Sequence, residues 1–127
     1  MARPADICRV LVVEDEYILA ESLRMRLEDE GFEVIGPAFS AEEAVELVTS
    51  DHRIDAAIVD LELKGVIGLN VIDALVDRGI PLLVVSGHDL LQLPAPYRTL
   101  PVCRKPLLAG NISERIRRLI EERRSAT

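Results

Sequence analysis

Residues 10–16 read Val-Leu-Val-Val-Glu-Asp-Glu, so that an apolar and largely β-branched run passes directly into three acids. The run has the composition of a strand that is buried on both faces of a sheet. Similar runs occur at Val34 to Ile35, Ala56 to Val59, Leu82 to Val85 and Val102 to Cys103. Fully apolar strands of this kind are typical of a parallel sheet that helices cover on both faces.

The stretches between these runs have the apolar spacing of helices. The first helix is predicted from about Asp15 to Glu30, because leucines recur every fourth residue and Gly31 stands where a left-handed stop is expected. These leucines are Leu19, Leu23 and Leu27. The second helix is predicted to begin at Ser40, whose hydroxyl can cap it while Glu43 reaches back.

Two more helices are predicted nearer the end of the chain. The third should end at Gly79, and its apolar face is marked by Leu69, Ile72 and Val76. The last begins either at Asn111 or nearer Leu108. Its apolar stripe is formed by Ile112, Ile116, Leu119 and Ile120. The alternation of strands and helices predicts a five-stranded, doubly wound α/β domain with right-handed crossovers.

Residues 87–100 break this alternation. Their leucines favour a short helix, but Pro94 and Pro96 would end it. The fourth helix is therefore predicted to be short or irregular. Such a segment should have low local stability.

Chemically capable side chains follow four of the predicted strands. The acids Glu14 and Asp15 follow the first strand, Asp60 ends the third, Ser86 ends the fourth and Lys105 follows the fifth. Each residue alone has a plain reading as a turn or surface residue. In a doubly wound sheet, however, all of these ends lie at the edge where ligands bind. The joint pattern therefore predicts one site.

The acids of this site predict a cation and a phosphoryl group. If the first and third strands are neighbours, Glu14, Asp15 and Asp60 converge, and their mutual repulsion calls for a cation. Hard oxygen ligands with room for water suit Mg²⁺. An aspartate at such a cation can attack phosphorus and become an acyl phosphate, and Ser86 and Lys105 can then hold the other phosphoryl oxygens.

These residues resemble those of the response-regulator receiver family of bacterial two-component signalling, and the resemblance covers essentially the whole chain. It implies a flavodoxin-like sheet with the strand order 2-1-3-4-5. The family's acidic pair would be Glu14 and Asp15. The phosphoacceptor would be Asp60, accompanied by the family's hydroxyl at Ser86 and its lysine at Lys105.

The resemblance implies further details of the site and its partners. The backbone carbonyl of Glu62 would be another Mg²⁺ ligand, and the Lys105–Pro106 bond would be cis. The phosphoryl group would come from a sensor histidine kinase or a histidine phosphotransfer protein, and a downstream protein would receive the signal. The stretch Val84-Val85-Ser86-Gly87 is similar to the motif of stand-alone receivers that carry Phe-Ala-Thr-Gly.

The chain departs from the family pattern at two places in this site. Val102 stands three residues before Lys105, where the family usually has an aromatic residue that rotates as a switch. After Asp60, the sequence Leu61-Glu62-Leu63-Lys64-Gly65 replaces the familiar Met-Pro pair, so this loop is expected to have a different geometry.

Composition supports a small domain with an aliphatic core. The 127 residues are 49% hydrophobic and 29% charged, and only four are aromatic. No apolar run approaches the roughly 20 residues of a membrane helix, and the first residues lack the apolar stretch of a signal peptide. We therefore expect one cytoplasmic receiver domain over residues 1–127. The stretch Glu121 to Ser125 is also compatible with a link to an effector domain.

Charge and cysteine content exclude other classes. A net charge of −7 disfavours direct binding to nucleic acid. Arginines alternate with acids along the last helix, which indicates a solvated face or, alternatively, a docking surface for a partner. They are Arg115, Arg117, Arg118, Arg123 and Arg124. Cys8 and Cys103 lack metal-ligand spacing and are expected to be buried, reduced thiols.

Three functions from different classes remain open at this point. The pattern favours a phosphorylation switch, which is not a turnover enzyme. A pseudo-receiver that acts only as an adaptor is the alternative that Val102 and the irregular fourth segment suggest. A phosphatase of the haloacid-dehalogenase type would need Asp two residues after its nucleophile, where this chain has Glu62.

Overall fold

The computed structural model describes residues 7–50, 53–63, 66–86, 99–104 and 111–126. The strands are β1 (Arg9–Val13), β2 (Glu33–Ala38), β3 (Ala56–Asp60), β4 (Glu62–Leu63), β5 (Val66–Ile67), β6 (Leu82–Ser86) and β7 (Val102–Arg104). The helices are α1 (Tyr17–Asp29), α2 (Ala41–Thr49), α3 (Leu69–Asp77) and α4 (Asn111–Ala126). The predicted short or irregular fourth helix falls in residues 87–98, and the Lys105–Pro106 bond in residues 105–110, both outside the described residues.

The five long strands form one sheet in the order β2-β1-β3-β6-β7, and every pair of neighbours is parallel. When only these five strands are numbered along the chain, the order is 2-1-3-4-5. This confirms the predicted doubly wound, flavodoxin-like fold. In the central pair, Val10 lies opposite Ala56 and Val13 lies opposite Val59. The register brings the ends of β1 and β3 to the same level, and this positions the site described below.

Aliphatic side chains cover both faces of the sheet. Alternate residues of β1 point to opposite faces, so Leu11 and Val13 pack with α2 and α3, while Val10 and Val12 pack with α1 and α4. Every residue of β3 and β6 is buried. This explains why their sequences read as continuous apolar runs rather than as alternating ones.

The helix signals in the sequence are largely confirmed. The Ser40 hydroxyl accepts a hydrogen bond from the Glu43 N–H at 3.1 Å, as predicted for the start of α2. The Glu43 carboxylate reaches back one residue further than expected, to the N–H of Phe39. Gly31 follows α1 with φ +94°, the left-handed stop that the leucine spacing indicated.

The predicted face of α3 is correct at Ile72 and at Leu69, which pack in or against the core, but wrong at Val76. Val76 is 54% exposed, whereas Val71, Ile72 and Leu75 are fully buried. Successive residues of a helix turn by about 100°, so these three side chains form one arc against the sheet. Val76 and Leu69 lie to one side of it. Similarly, in α1 the buried stripe is Ala20, Leu23 and Leu27, with Leu19 only partly buried.

The predicted burial of the cysteines is wrong, because both side chains are partly exposed. Cys8 precedes β1 instead of lying within it, and Cys103 lies in β7 at the edge of the sheet. A strand at the edge has a neighbour on one side only, so its side chains are less completely covered than those of β3 and β6.

The last helix packs as predicted, with Ile112, Ile116 and Ile120 buried against the sheet. Most of its arginines are exposed, but Arg117 makes specific contacts. Its guanidinium lies 4.9 Å from the centroid of the Phe32 ring and donates to the Glu30 carbonyl at 2.6 Å. Arg117 therefore ties α4 to the connection between α1 and β2. Within the described ranges, no helix is long and apolar enough to cross a membrane.

Two glycines with the same backbone angle allow a matched test of packing. Gly31 and Gly36 both have φ +94°, but a Cβ at Gly36 would lie 2.7 Å from the Ala38 nitrogen, whereas one at Gly31 would meet nothing within 4 Å. Both alanine variants should lose about 1 to 2 kcal/mol of unfolding free energy from the strained φ. Gly36→Ala should lose measurably more in urea denaturation, and equal losses would show that the close contact with the Ala38 nitrogen is unimportant.

Candidate functional site

Three carboxylates meet at the carboxyl edge of the sheet. The side chains of Glu14, Asp15 and Asp60 each place an oxygen within 4.8 Å of the other two. Glu14 and Asp15 directly follow β1, and Asp60 is the last residue of β3. The parallel pairing of Val13 with Val59 sets these strand ends side by side. The cluster is thus a direct consequence of the sheet register.

Two of these acids are almost completely buried. Glu14 is 1% exposed and Asp60 is 3% exposed, while Asp15 is partly exposed. The position of Glu14 is fixed by its own backbone, whose N–H donates to the Ala38 carbonyl at 3.0 Å. Its carboxylate also accepts the N–H of Glu16 at 3.1 Å. Glu14 is therefore held in place from two sides, and Asp15 forms the solvent-facing side of the cluster.

The donor set fits a hard divalent cation. Carboxylates this close together repel one another strongly in a partly buried site. All three offer oxygen ligands, and the partly exposed Asp15 leaves access for the water molecules that Mg²⁺ usually retains. A divalent cation at this place would be held by Glu14, Asp15 and Asp60.

Ser86 lies at the same edge of the sheet. It ends β6, where Asp60 pairs with Val85, so Ser86 stands one residue beyond the level of Asp60 on the neighbouring strand. Its side chain is 1% exposed. The predicted lysine, Lys105, would follow β7 directly but lies outside the described residues. The structure thus brings four of the predicted side chains to one edge.

Sequence reasoning missed the hairpin that follows Asp60. The two-residue strands β4 and β5 pair in antiparallel fashion, with Glu62 opposite Ile67 and Leu63 opposite Val66. The signal was available, because two residues ending in glycine between apolar residues often mark a tight hairpin. Glu62, predicted to offer its backbone carbonyl to the cation, is the first residue of this hairpin.

An aromatic pair beside the acids was also missed. The rings of Tyr17 and Phe39 stack with their centroids 6.0 Å apart. They join the start of α1 to the connection between β2 and α2, next to the carboxylate cluster. Tyr17 is 66% exposed and Ile18 is 84% exposed. No local pattern predicts this pair, because the two residues meet only through the packing of the sheet ends.

The chain was compared with known proteins. The family model described as "Response regulator receiver domain" matches residues 10–95, well over half of the chain. The transcriptional regulatory protein PdtaR of Mycobacterium tuberculosis is 28% identical over 123 residues, which is 94% of this chain and 60% of that protein. The chain therefore spans less than two thirds of the length of this relative.

Solved structures agree with the family match. The receiver domain of a modulated diguanylate cyclase from Desulfovibrio desulfuricans has a TM-score of 0.85 at 28% identity and covers 96% of this chain and 100% of that one. A CheY-like receiver domain protein from Methanospirillum hungatei has the same fold, with a TM-score of 0.85 at 22% identity and coverage of 96% and 100%. With its sheet order and its match over residues 10–95, the chain belongs to the response regulator receiver domain family of two-component systems.

Proposed function

We propose that this protein is a phosphoacceptor receiver that takes a phosphoryl group onto Asp60 in a Mg²⁺-dependent reaction. The donor is a phosphohistidine of a sensor histidine kinase or of a histidine phosphotransfer protein. The observation that carries the proposal is the cluster of Glu14, Asp15 and Asp60 at the carboxyl edge of the sheet. Oxygen ligands this close together suit a divalent cation, which in turn can bind a phosphoryl oxygen.

Asp60 is the nucleophile of the proposed reaction. Its carboxylate oxygen attacks the phosphorus of the donor, a new O–P bond forms, and the P–N bond to the donor imidazole breaks. Glu14 and Asp15 hold the cation that offsets the charge of the phosphoryl oxygens. Because Glu14 is fixed by the Ala38 carbonyl and the Glu16 N–H, the ligand set is arranged before the donor arrives.

Ser86, Lys105 and the backbone carbonyl of Glu62 complete the proposed site. Ser86 is buried one strand away from Asp60 and would donate its hydroxyl to a phosphoryl oxygen. Lys105 would bind another oxygen as a charged donor, since it follows the strand that pairs with β6. The Glu62 carbonyl would be a further oxygen ligand for the cation, in addition to the carboxylates and the water molecules.

The output of the proposed reaction is a change in protein contacts rather than a released product. The acyl phosphate remains on the protein, so the chain acts as a switch or a shuttle and not as a turnover enzyme. We place it in the cytoplasm, where kinases draw on ATP, and we assign its downstream contact to another protein rather than to nucleic acid. Its charge of −7 supports that choice.

The proposal is tested by intact mass after incubation with acetyl phosphate and Mg²⁺. The wild type should gain the mass of one phosphoryl group, and Asp60→Asn should gain none, because the nucleophile is lost. Asp77→Asn serves as the control, since Asp77 is an exposed carboxylate on α3 far from the acid cluster in sequence. A wild type that remains unmodified with acetyl phosphate and with phosphorylated kinases would identify a pseudo-receiver adaptor instead.

Cation binding predicts a change in stability. At a Mg²⁺ concentration of about 100 times the dissociation constant, the unfolding free energy of the wild type should rise by about 2.7 kcal/mol. Asp15→Asn removes one ligand, so a tenfold weaker site should reduce this increment by about 1.4 kcal/mol. The control is Asp29→Asn at the exposed end of α1. If Mg²⁺ raises the unfolding free energy of both variants equally in urea denaturation, then Asp15 is not a ligand of the cation.

The chain contains only two lysines, Lys64 and Lys105, which gives the lysine prediction a matched control. Lys105→Ala should still accept a phosphoryl group, but hydrogen exchange should change less on phosphorylation, because the charged contact that favours the switched state is missing. Lys64→Ala should respond as the wild type does. A full exchange response in phosphorylated Lys105→Ala would show that Lys105 is only a surface lysine.

A further inference from the structure

An aromatic stack stands beside the acid cluster, between the start of α1 and the connection from β2 to α2. The rings of Tyr17 and Phe39 lie with their centroids 6.0 Å apart and their planes at 23°. Tyr17 is 66% exposed, and Phe39 is partly buried. Neither side chain is a ligand of the cation or a nucleophile in the proposed reaction. The reason for the stack must therefore be sought in the residues to which it is joined.

The stack closes a ring of contacts that passes through Glu14. The N–H of Glu14 donates to the Ala38 carbonyl at 3.0 Å, and Phe39 is the next residue after Ala38. The ring of Phe39 stacks on Tyr17, which directly follows Glu16. The N–H of Glu16 donates to the Glu14 carboxylate at 3.1 Å, and this returns the path to its start. The backbone and the carboxylate of Glu14 are thus both parts of one closed loop of contacts.

A bulge in β2 turns Phe39 toward α1. Leu11 pairs with Ile35 but Val13 pairs with Ala38, so β2 has one residue more than β1 between these two pairs. Ile35 and Ala38 consequently pack on the same side of the sheet although they are three residues apart. In an unbroken ladder, Ala38 and Phe39 would each face the opposite side, and Phe39 would turn away from α1. The extra residue therefore makes the stack possible.

The Phe39 side of the stack is anchored on α2. The N–H of Phe39 donates to the Glu43 carboxylate at 3.1 Å, and the hydroxyl of Ser40 accepts the N–H of Glu43 at the start of the helix. Tyr17, in contrast, is the first residue of α1 and is largely exposed. The stack consequently restrains the start of α1, and with it the turn of residues 14–16 that connects α1 to β1.

We propose that Tyr17 and Phe39 are positioning residues of the cation site, and that their stack holds the turn of residues 14–16 against Asp60. This inference rests on the proposed function. Carboxylates as close together as these repel one another, so an unrestrained turn would move its acids away from Asp60. A turn that is held closed before the ion arrives lowers the ordering cost of binding. Mg²⁺ demands near-ideal octahedral geometry, so its affinity should depend on this restraint.

Four variants separate the ring contact from a general loss of apolar surface. Tyr17→Ala and Phe39→Ala each remove one ring of the stack, whereas Tyr17→Phe keeps the ring and removes only the hydroxyl. Ile18→Ala is the matched control, because Ile18 follows Tyr17 directly, is 84% exposed and is not part of the ring of contacts. A double variant without both rings completes a mutant cycle, since a contact between two side chains can be lost only once. Circular dichroism will verify that each variant keeps the fold.

The experiment is calorimetric titration of unphosphorylated protein with MgCl₂ at constant ionic strength. Tyr17→Ala, Phe39→Ala and the double variant should each lower the affinity about threefold to tenfold, the range that one aromatic pair can supply. Tyr17→Phe and Ile18→Ala should bind as the wild type does. Wild-type affinity in both single alanine variants of the stack, additive losses in the double variant, or an equal loss in Ile18→Ala would overturn the inference. A folded wild type that binds no Mg²⁺ would instead contradict the proposed function.

Discussion

The parallel pairing of β1 with β3 is the constraint on which the site depends. Because Val13 lies opposite Val59, the residues that leave β1 are carried to the same point as the last residue of β3. Glu14 and Asp15 therefore meet Asp60 within 4.8 Å, although they are far apart in the chain. A shift of one strand position would turn the side chain of Asp60 to the other face of the sheet. The register of β1 and β3 therefore determines which side chains form the site.

This arrangement is maintained against electrostatic repulsion. Burying carboxylates side by side is unfavourable, and here two of the three are less than 5% exposed. The opposing contribution comes from strands β3 and β6, in which every residue is buried, and from aliphatic packing on both faces. A domain of this kind can hold an unfavourable cluster at one edge because its core lies elsewhere. Local rules are broken at the site and obeyed in the core, as expected for a functional site.

The same division explains what the sequence could predict. Buried parallel strands leave a strong composition signal, so their positions and the residues at their ends followed from the sequence, whereas the strand order was what the resemblance to the receiver family implied. The face of α3 did not follow, because six of its nine residues, Leu69, Val71, Ile72, Ala74, Leu75 and Val76, are apolar and fit more than one stripe. The hairpin was missed as well, because strands of two residues have no periodicity and its only signal was the Lys64-Gly65 pair between apolar residues. The exposure of Cys103 depends on β7 being an edge strand, which requires the full sheet order.

Val102 bears on how a phosphoryl group on Asp60 would be sensed. Its side chain packs against the core, and its backbone pairs with Val84 of β6. It has no ring that could exchange between buried and exposed positions, so the aromatic switch of the family cannot operate here.

Ser86, by contrast, ends β6 opposite Arg104. Movement of Ser86 toward a phosphoryl group would pull on the ladder that joins β6 to β7, and β7 has no neighbour beyond it among the described strands. An edge strand can shift at lower cost than a central one, because only one of its ladders must adjust. Under the proposed function, the signal would therefore leave the site through the backbone of this edge and not through a side-chain rotation.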